Sequence, residues 1–582
     1  MLYSFHSVEY QLHESPYFRS DGVSFPHTAK AEFKDERGKV LLEKSFGYLT
    51  LAELYDLIGL EEPIDIDECL INNFSLTACR HYLLQDKNAR IALKNFSARG
   101  TLFISALKVD FSNADFTGTQ ANFDGAAFVC SELTFHTSRF MEAGAKFQNA
   151  VFKTEHFDFT RASVAEGDIT FKNAVFGIGK KDFQDAKFNN NEVCFINTDF
   201  GDGDTSFINA TFANADTTFK VARFGTGKID FHFAKFKEGD ISFERTEFGN
   251  GRSDFRTVEF GSGKVNFNRC TFGDGDVSFE GASSNGGKLL FRRSAFGTGE
   301  VGFEIFEGKE AEIIFEKVDF EKGSLSFSGA MVRNLTLSSC LFSDRVNLQV
   351  AYAEAIDISD SIVRDIIDFR PHEQMQYIGT LDLSGLKLLG RIYIDWQQNS
   401  AKQLVHGQAN SSDAEKAGQF LILKENFNAL GQYEDEDRAY VEYRRCEQRA
   451  KFQRQQKGKL IDRITAYPRY WSKLILYDLM GLYATRPSRV FLSMMSVYLL
   501  FSGVFMFFIT VGEGNINPSG IHPDTLTVFE RSLYHSAITF FTIGYGDFYP
   551  SGPLRIVCGV EGFVGVFLMA YFTVAFVRKI LR

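Results

Sequence analysis

Phe171-Lys172-Asn173-Ala174-Val175-Phe176-Gly177-Ile178-Gly179-Lys180-Lys181-Asp182-Phe183 is one full period of the pattern that governs most of this chain. Phenylalanine returns every twelve residues from Phe111 to Phe327 without a slip, and a second ring follows five residues later in most units (Phe116, Phe128, Phe140, Phe176, Phe320). No α-helix accommodates spacings of five and seven, because at 100° per residue the rings scatter round the whole cylinder. A continuous strand fails as well: both spacings are odd, so successive rings fall on opposite faces. The chain must therefore turn between rings. Val, Ile or Thr two residues before the first ring (Ile169, Val193, Ile229, Ile241) makes a short strand, and the small residue three after it (Ala114, Ala174, Ala210, Ala234) opens the next face. Gly-x-Gly is expected to supply the bend. The result is a β-solenoid. Two rings would overfill a coil made of a single unit, so two twelve-residue units are expected per coil. Residues 329–396 continue the pattern with Leu and Ile in place of Phe.

The repeats lie in the middle of a 582-residue chain, long enough for several domains. A net charge of −11 argues against a nucleic-acid-binding surface. Eight cysteines without a C-x-x-C pair suggest neither a disulfide framework nor a zinc site, and fit a reducing compartment. The opening stretch lacks the basic-then-apolar pattern of a signal peptide, so everything before residue 487 is expected in the cytoplasm. Residues 1–100 mix strand-like pieces (4–13, 31–33, 40–46) with helix-like ones (51–58, 74–84). They read as an α/β cap on the solenoid at 101–396, with a ligand-binding module as the alternative.

Residues 397–486 switch to helix. A polar linker (397–412) leads to a helix from Asp413 to Leu430, stopped by Gly431. A second helix starts Glu434-Asp435-Glu436-Asp437 and ends among Arg444, Arg445, Arg449, Lys451 and Arg454, matching the helix dipole at both ends. Tyr440 and Tyr443, with Phe427 and Leu430, are expected to close a helical hairpin. The aromatic stretch 470–483 reads as a helix lying in a membrane interface. Two motifs tempt and fail. Gly297-Thr298-Gly299-Glu300-Val301-Gly302 is one copy of the repeat turn and opens no helix. The acidic turns 201–204 and 273–276 suggest calcium, but other copies carry Lys228 and Lys264 where Asp204 and Asp276 stand. No phosphate loop and no catalytic triad stands out, so catalytic residues are not expected.

Two apolar segments close the chain. Residues 490–511 carry no charge, and 554–577 carry only Arg555, at the mouth, and Glu561. Each is long enough to cross ~30 Å of hydrocarbon. Between them Thr527-x-x-Glu530 reads as a capping box for a short helix over 529–541, which ends at Thr542-Ile543-Gly544-Tyr545-Gly546-Asp547. Glycine adopts cheaply the conformations that aim successive carbonyls at one axis, where they replace the shell of an ion leaving water. Arg463, Arg469, Lys473, Arg486 and Arg489 precede the first span and Arg578, Lys579 and Arg582 follow the second. The loop between carries Glu513, Asp524, Glu530, Arg531 and Asp547. Both termini are therefore expected on the cytoplasmic side of the plasma (inner) membrane. Glu561 is expected to face protein or water. It either bonds to the short helix through His535 or Ser536, or titrates and couples proton concentration to the loop.

The order helix, half-helix, glycine-bearing loop, helix resembles the pore of the two-transmembrane potassium channels, whose signature is TVGYG, with Ile543 here in place of Val. The small-x-Phe part of the repeat resembles the pentapeptide-repeat proteins. Taken in order, with Arg486-Pro487-Ser488-Arg489 at the junction, the parts resemble bacterial pentapeptide-repeat ion-channel proteins over most of the chain. The resemblance implies a multidomain fold. Its parts are a right-handed quadrilateral, pentapeptide-like β-solenoid, an α-helical linker, and an all-α two-span potassium channel pore at 487–582. It implies that Thr542, Ile543, Gly544, Tyr545, Gly546 and Asp547 form the ion selectivity filter, with K+ as permeant ion and no cofactor or other metal. One loop per chain implies a homotetramer in the lipid bilayer. Gly565, in the second apolar segment downstream of Gly546, lies near where these channels keep a hinge glycine. Alternatively Gly559, Gly562 and Gly565 admit a neighbouring helix. The implied function is passive potassium conduction without enzymatic activity. The alternative is a membrane-anchored interaction scaffold with a poorly conducting pore. A cytoplasmic protein or ligand on the solenoid is a further expected partner.

Overall fold

The computed structural model describes residues 5–189, 192–213, 216–371, 376–520 and 525–581. Ser4, Asp524 and Arg582, which entered the reading above, lie outside them. The chain divides into two compact units at Gln408 and Ala409.

In the first unit the twelve-residue pattern builds coils of two units each. Phe116 pairs with Phe140, Val151 with Val175, Ile169 with Val193 and Ile229 with Ser253, all in parallel. Each coil contributes to four ladders, one coil for example through Ala114–Thr117, Ala121–Asn122, Ala127–Val129 and Glu132–Thr134, so the solenoid has four sides. The last of these ladders runs through 13 strands, from Lys108–Asp110 to Arg391–Tyr393. Coils shorten once Leu and Ile replace Phe: Leu325 pairs with Val346, nearer in sequence than any of the pairs above.

The rings fill the interior in columns. Phe111 stacks on Phe135 at 4.9 Å and Phe123 on Phe147 at 4.8 Å, each within 5° of parallel. Between columns the geometry is edge-on, Phe123 to Phe135 at 5.7 Å and 87°. Both arrangements are preferred by the ring quadrupole. The second rings make columns of their own, such as Phe200 on Phe224 at 4.5 Å. All these rings are buried, each contributing about 1.5–3 kcal/mol. Disulfides play no part, since all eight cysteines are free.

Two kinds of corner alternate: the Gly-x-Gly stretches lie on bends, as the sequence predicts (178–179, 202–203, 226–227), and tight turns make the rest. The tight turn falls two residues after the first ring, where Asn173 has φ 57° and the Ala174 amide donates back to the Phe171 carbonyl at 2.9 Å. That is the geometry of a type II turn, in which the third residue is left-handed. Asn occupies this position repeatedly, but Val221, Phe233 and Arg245 adopt it too. The Gly-x-Gly glycines serve a second purpose beside the bend. A Cβ on Gly251 would lie 1.9 Å from the Gly227 carbonyl oxygen, and one on Gly263 as close to Gly239. Glycine is needed there so that successive coils approach closely.

At the N-terminal end Ser7–His13, His27–Lys34 and Val40–Tyr48 form an antiparallel sheet. Val40–Tyr48 then pairs in parallel with Cys69–Asn72, and that strand with Leu102–Ile104, so the sheet continues one side of the solenoid. Two helices flank this joint: α1 (Leu51–Gly59), with a Thr50–Glu53 capping box, and α2 (Leu76–Tyr82). A short helix, α3 (Ala401–His406), lies in the stretch expected as a polar linker.

The second unit is helical. α4 (Asp413–Ala429) starts from a Ser412–Glu415 capping box and turns at Gly431 into α5 (Tyr433–Gln456). Phe420, Leu423 and Phe427 are buried on α4, and Ala439 and Cys446 on α5. Then come α6 (Leu460–Lys473), a π-helical segment (Leu474–Leu479), α7 (Pro487–Val511), α8 (Val528–Phe540) and α9 (Leu554–Ile580).

Candidate functional site

α7 and α9 are long and apolar enough to cross a membrane, and only 17% and 22% of their most apolar windows are buried. Neither is therefore the core helix of a soluble fold. Pro487 opens α7, where its missing N–H is no loss, and Gly512 ends it in the left-handed region. Between the spans, α8 starts from the Thr527–Glu530 capping box: the Glu530 amide donates to Thr527 Oγ1, and Glu530 Oε2 accepts from the Thr527 amide at 2.9 Å. The loops on either side of α8 are joined by an antiparallel pair, Ile516–Pro518 with Phe548–Pro550.

At the C-terminal end of α8 the backbone conformation alternates. Thr542, Gly544 and Gly546 have φ of 54, 67 and 73°, whereas 543 and 545 do not enter the positive region. The amides of Ile543 and Gly544 both donate to the Ile538 carbonyl, at 2.9 and 3.3 Å. The carbonyls of residues 542–546 accept no hydrogen bond among the described residues. These residues are exposed on the single chain, Tyr545 by 72%. Space around Gly544 and Gly546 is open, so conformation alone selects glycine there.

The loop is braced from behind. The Tyr534 hydroxyl of α8 donates to Asp547 Oδ2 at 2.7 Å, and the Ser519 amide donates to the Asp547 carbonyl at 2.8 Å. The Tyr534–Asp547 pair carries no sequence signal. It joins two residues across a turn that had to be seen.

Glu561 on α9 is fully buried, and of its two expected partners the structure selects Ser536. Ser536 Oγ lies within hydrogen-bond distance of Glu561 Oε1 and 3.2 Å from the Tyr498 carbonyl. One hydroxyl proton serves one of these acceptors. Both bonds therefore exist together only when Glu561 carries a proton and donates it to Ser536. His535 instead stands edge-on to Phe505, 5.2 Å between centroids. Gly565 lies against the end of α8: a Cβ there would be 2.1 Å from the Phe540 carbonyl oxygen. Gly559 meets nothing within 4 Å, and Gly562 only the Thr539 methyl at 4.0 Å.

The acidic turns of the solenoid are spent on their neighbours. Asp204 Oδ1 accepts the Lys228 amide at 2.8 Å and Asp276 Oδ1 the Glu300 amide at 3.0 Å, one coil on. Among the described residues no group of three His, Cys, Asp or Glu could hold a metal ion.

Residues 493–582 match the family model described as "Ion channel". No curated protein matches the chain, and no solved structure does. A large β-solenoid, a helical region and a two-span ion-channel domain thus follow one another in a single chain.

Proposed function

Starting from an ion-channel domain, we propose that the chain is the subunit of a homotetrameric, potassium-selective channel that conducts passively across the plasma membrane. The observation that carries this is the run of carbonyls from Thr542 to Gly546, open at the end of a half-helix between two membrane-length helices. A cation stripped of water needs such oxygens, and the C-terminal end of α8 adds negative potential beside them. One chain supplies one strand of oxygens, so the ring closes only with copies about an axis. Leu460, Ile464, Tyr467, Trp471, Ile475 and Leu479 form an exposed apolar stripe along α6 and the π-helical segment. With Lys459, Arg463 and Lys473 nearby it suits a helix resting in the interface before the first span, with both termini on the cytoplasmic side.

The test is flux from liposomes holding the purified protein. Potassium flux well above sodium flux is expected. Gly544→Ala or Gly546→Ala should abolish it with the oligomer intact, because a Cβ at these φ values costs about 1–2 kcal/mol per residue. Equal sodium and potassium flux would sink the selectivity claim. An intact protein passing neither ion would leave the membrane-anchored scaffold as the better reading.

A further inference from the structure

The far end of α9 is tied at two levels. In its last turn Arg578 Nη2 donates to Asp437 Oδ1 of α5 at 2.9 Å, and the guanidinium lies 4.5 Å over the Tyr440 ring. Lys579 Nζ stands 3.6 Å from the other oxygen of Asp437. Two turns earlier the Tyr571 hydroxyl donates to the Tyr477 carbonyl at 3.2 Å and accepts the Ala484 amide at 3.0 Å.

The segment that Tyr571 grips is itself held by α5. Arg445 donates twice to Asp478, at 2.9 and 2.8 Å, and Tyr483 Oη donates to Gln448 at 3.0 Å. Leu482, Tyr483 and Ala484 all have positive φ (46, 58 and 62°), three consecutive non-glycine residues in a region that L side chains disfavour. Such an elbow persists only where its surroundings over-determine it. Helix α5, the elbow and the end of α9 are therefore one braced body, and Asp437 is where both terminal cations of α9 meet it.

Exposed ion pairs contribute little, but Asp437 is 8% exposed. Removing one partner from so desolvated a pair leaves a charge uncompensated. α9 runs as one helix from its contact with Phe540 at Gly565 to Arg578, so a displacement at its end is carried toward α8.

Resting on the channel reading above, we propose that Asp437 is a positioning residue of the pore. It locks the hairpin α4–α5 to the cytoplasmic end of the inner helix, so that displacement of the hairpin sets the open fraction. The tyrosine that sequence reasoning assigned to the hairpin seam, Tyr440, belongs to this clamp.

The experiment compares Asp437→Arg, Arg578→Asp and the double exchange in the full-length protein. Two readouts are taken: single-channel recording in planar bilayers, and hydrogen exchange over residues 571–581. Each single exchange is expected to change the ratio of open to closed time by about tenfold or more with selectivity unchanged, and the double to return it to within about threefold of the parent. Amide exchange at the end of α9 should rise by about tenfold in each single exchange and fall back in the double. If either single fails to assemble, Asp437→Asn or Arg578→Met takes its place, with the same expectations for the single change. Parental open times and exchange in the single exchanges would overturn the proposal, as would simple addition in the double. Exchange is read without conduction, so a parent that passes no ion sinks the channel reading while the clamp is still judged.

Discussion

Gly565→Ala separates two accounts of the inner helix. A hinge glycine would be replaced with altered gating and an intact fold. A packing glycine would be replaced at the expense of the α8–α9 contact. In the structure an added Cβ would sit 2.1 Å from the Phe540 carbonyl oxygen and 2.9 Å from its carbon. Ordinary contact is ~3.5 Å, so the two helices must part by about 1 Å. Both obstacles are backbone, which no rotamer change relieves. Overpacking costs about 1–3 kcal/mol, and this site belongs at the upper end. About 3 kcal/mol lowers the midpoint of thermal unfolding by about 6–12 °C for a unit the size of residues 409–582. The displaced end of α8 also leads directly into Thr542, so selectivity should weaken together with stability. Thermal unfolding of purified oligomers, beside sodium and potassium flux, is the assay. Gly562→Ala is the control, since open space and helix propensity make it neutral or stabilising by about 1 kcal/mol. If Gly565→Ala unfolds where Gly562→Ala does and changes only open probability, the packing argument is wrong and the hinge stands.

Three further outcomes are expected. Glu561→Gln supplies an amide donor in place of the carboxyl proton, so it should keep flux within about threefold of the parent; a lost pH response of the current in that variant would instead show that Glu561 titrates in use. Residues 1–408 expressed alone should give a soluble, β-rich protein by circular dichroism, because their ring columns lie within one unit; an unfolded fragment would mean that the solenoid depends on the pore. In that fragment Lys181→Met should stabilise at pH 7 by about 1–2 kcal/mol, since burial pushes the lysine down to about 8. The folded value lies below the unfolded one, so the penalty is complete below about pH 8 and fades toward pH 10.5. The gain should therefore shrink across that window, and a gain independent of pH would assign it to packing.

What could be read from the sequence, and what could not, divides by distance. The spacing of Phe111, Phe116 and Phe123, five and then seven, excludes helix and strand by arithmetic alone, and the two-unit coil follows from ring volume. The corners escape that logic because position and identity are uncoupled there: Asn173, Val221 and Arg245 share one conformation imposed by the coil, not by the residue. Gly-x-Gly announces its bend but not its second reason, since what Gly251 avoids is the Gly227 carbonyl, one coil back in the chain. Near α8 the same limit applies. His535 and Ser536 are adjacent and both plausible for Glu561, and only the 100° between them on the helix decides. Gly565 needed Phe540, and Arg578 needed Asp437, contacts to which local pattern is blind.

Backbone hydrogen bonding is handled in opposite ways in the solenoid and around α8. In the solenoid the polar groups of one coil are consumed by the next: the Phe171 amide donates to the Cys194 carbonyl at 2.7 Å, and even turn carboxylates such as Asp204 are spent on amides one coil away. Between α8 and α9 that economy is reversed. The amides of Ile543 and Gly544 donate to Ile538, while the carbonyls of 542–546 accept no hydrogen bond among the described residues. An amide-type group removed from water without a partner costs about 1–3 kcal/mol, so five of them are tenable at membrane depth only where something else supplies the positive charge. A bare monovalent cation does that for several carbonyls at once, and water or a side-chain donor does it for only one or two. On the proposed channel reading, the backbone at 542–546 offers an ion carbonyls that no other group takes up among the described residues, in a loop where Thr542, Gly544 and Gly546 have positive φ.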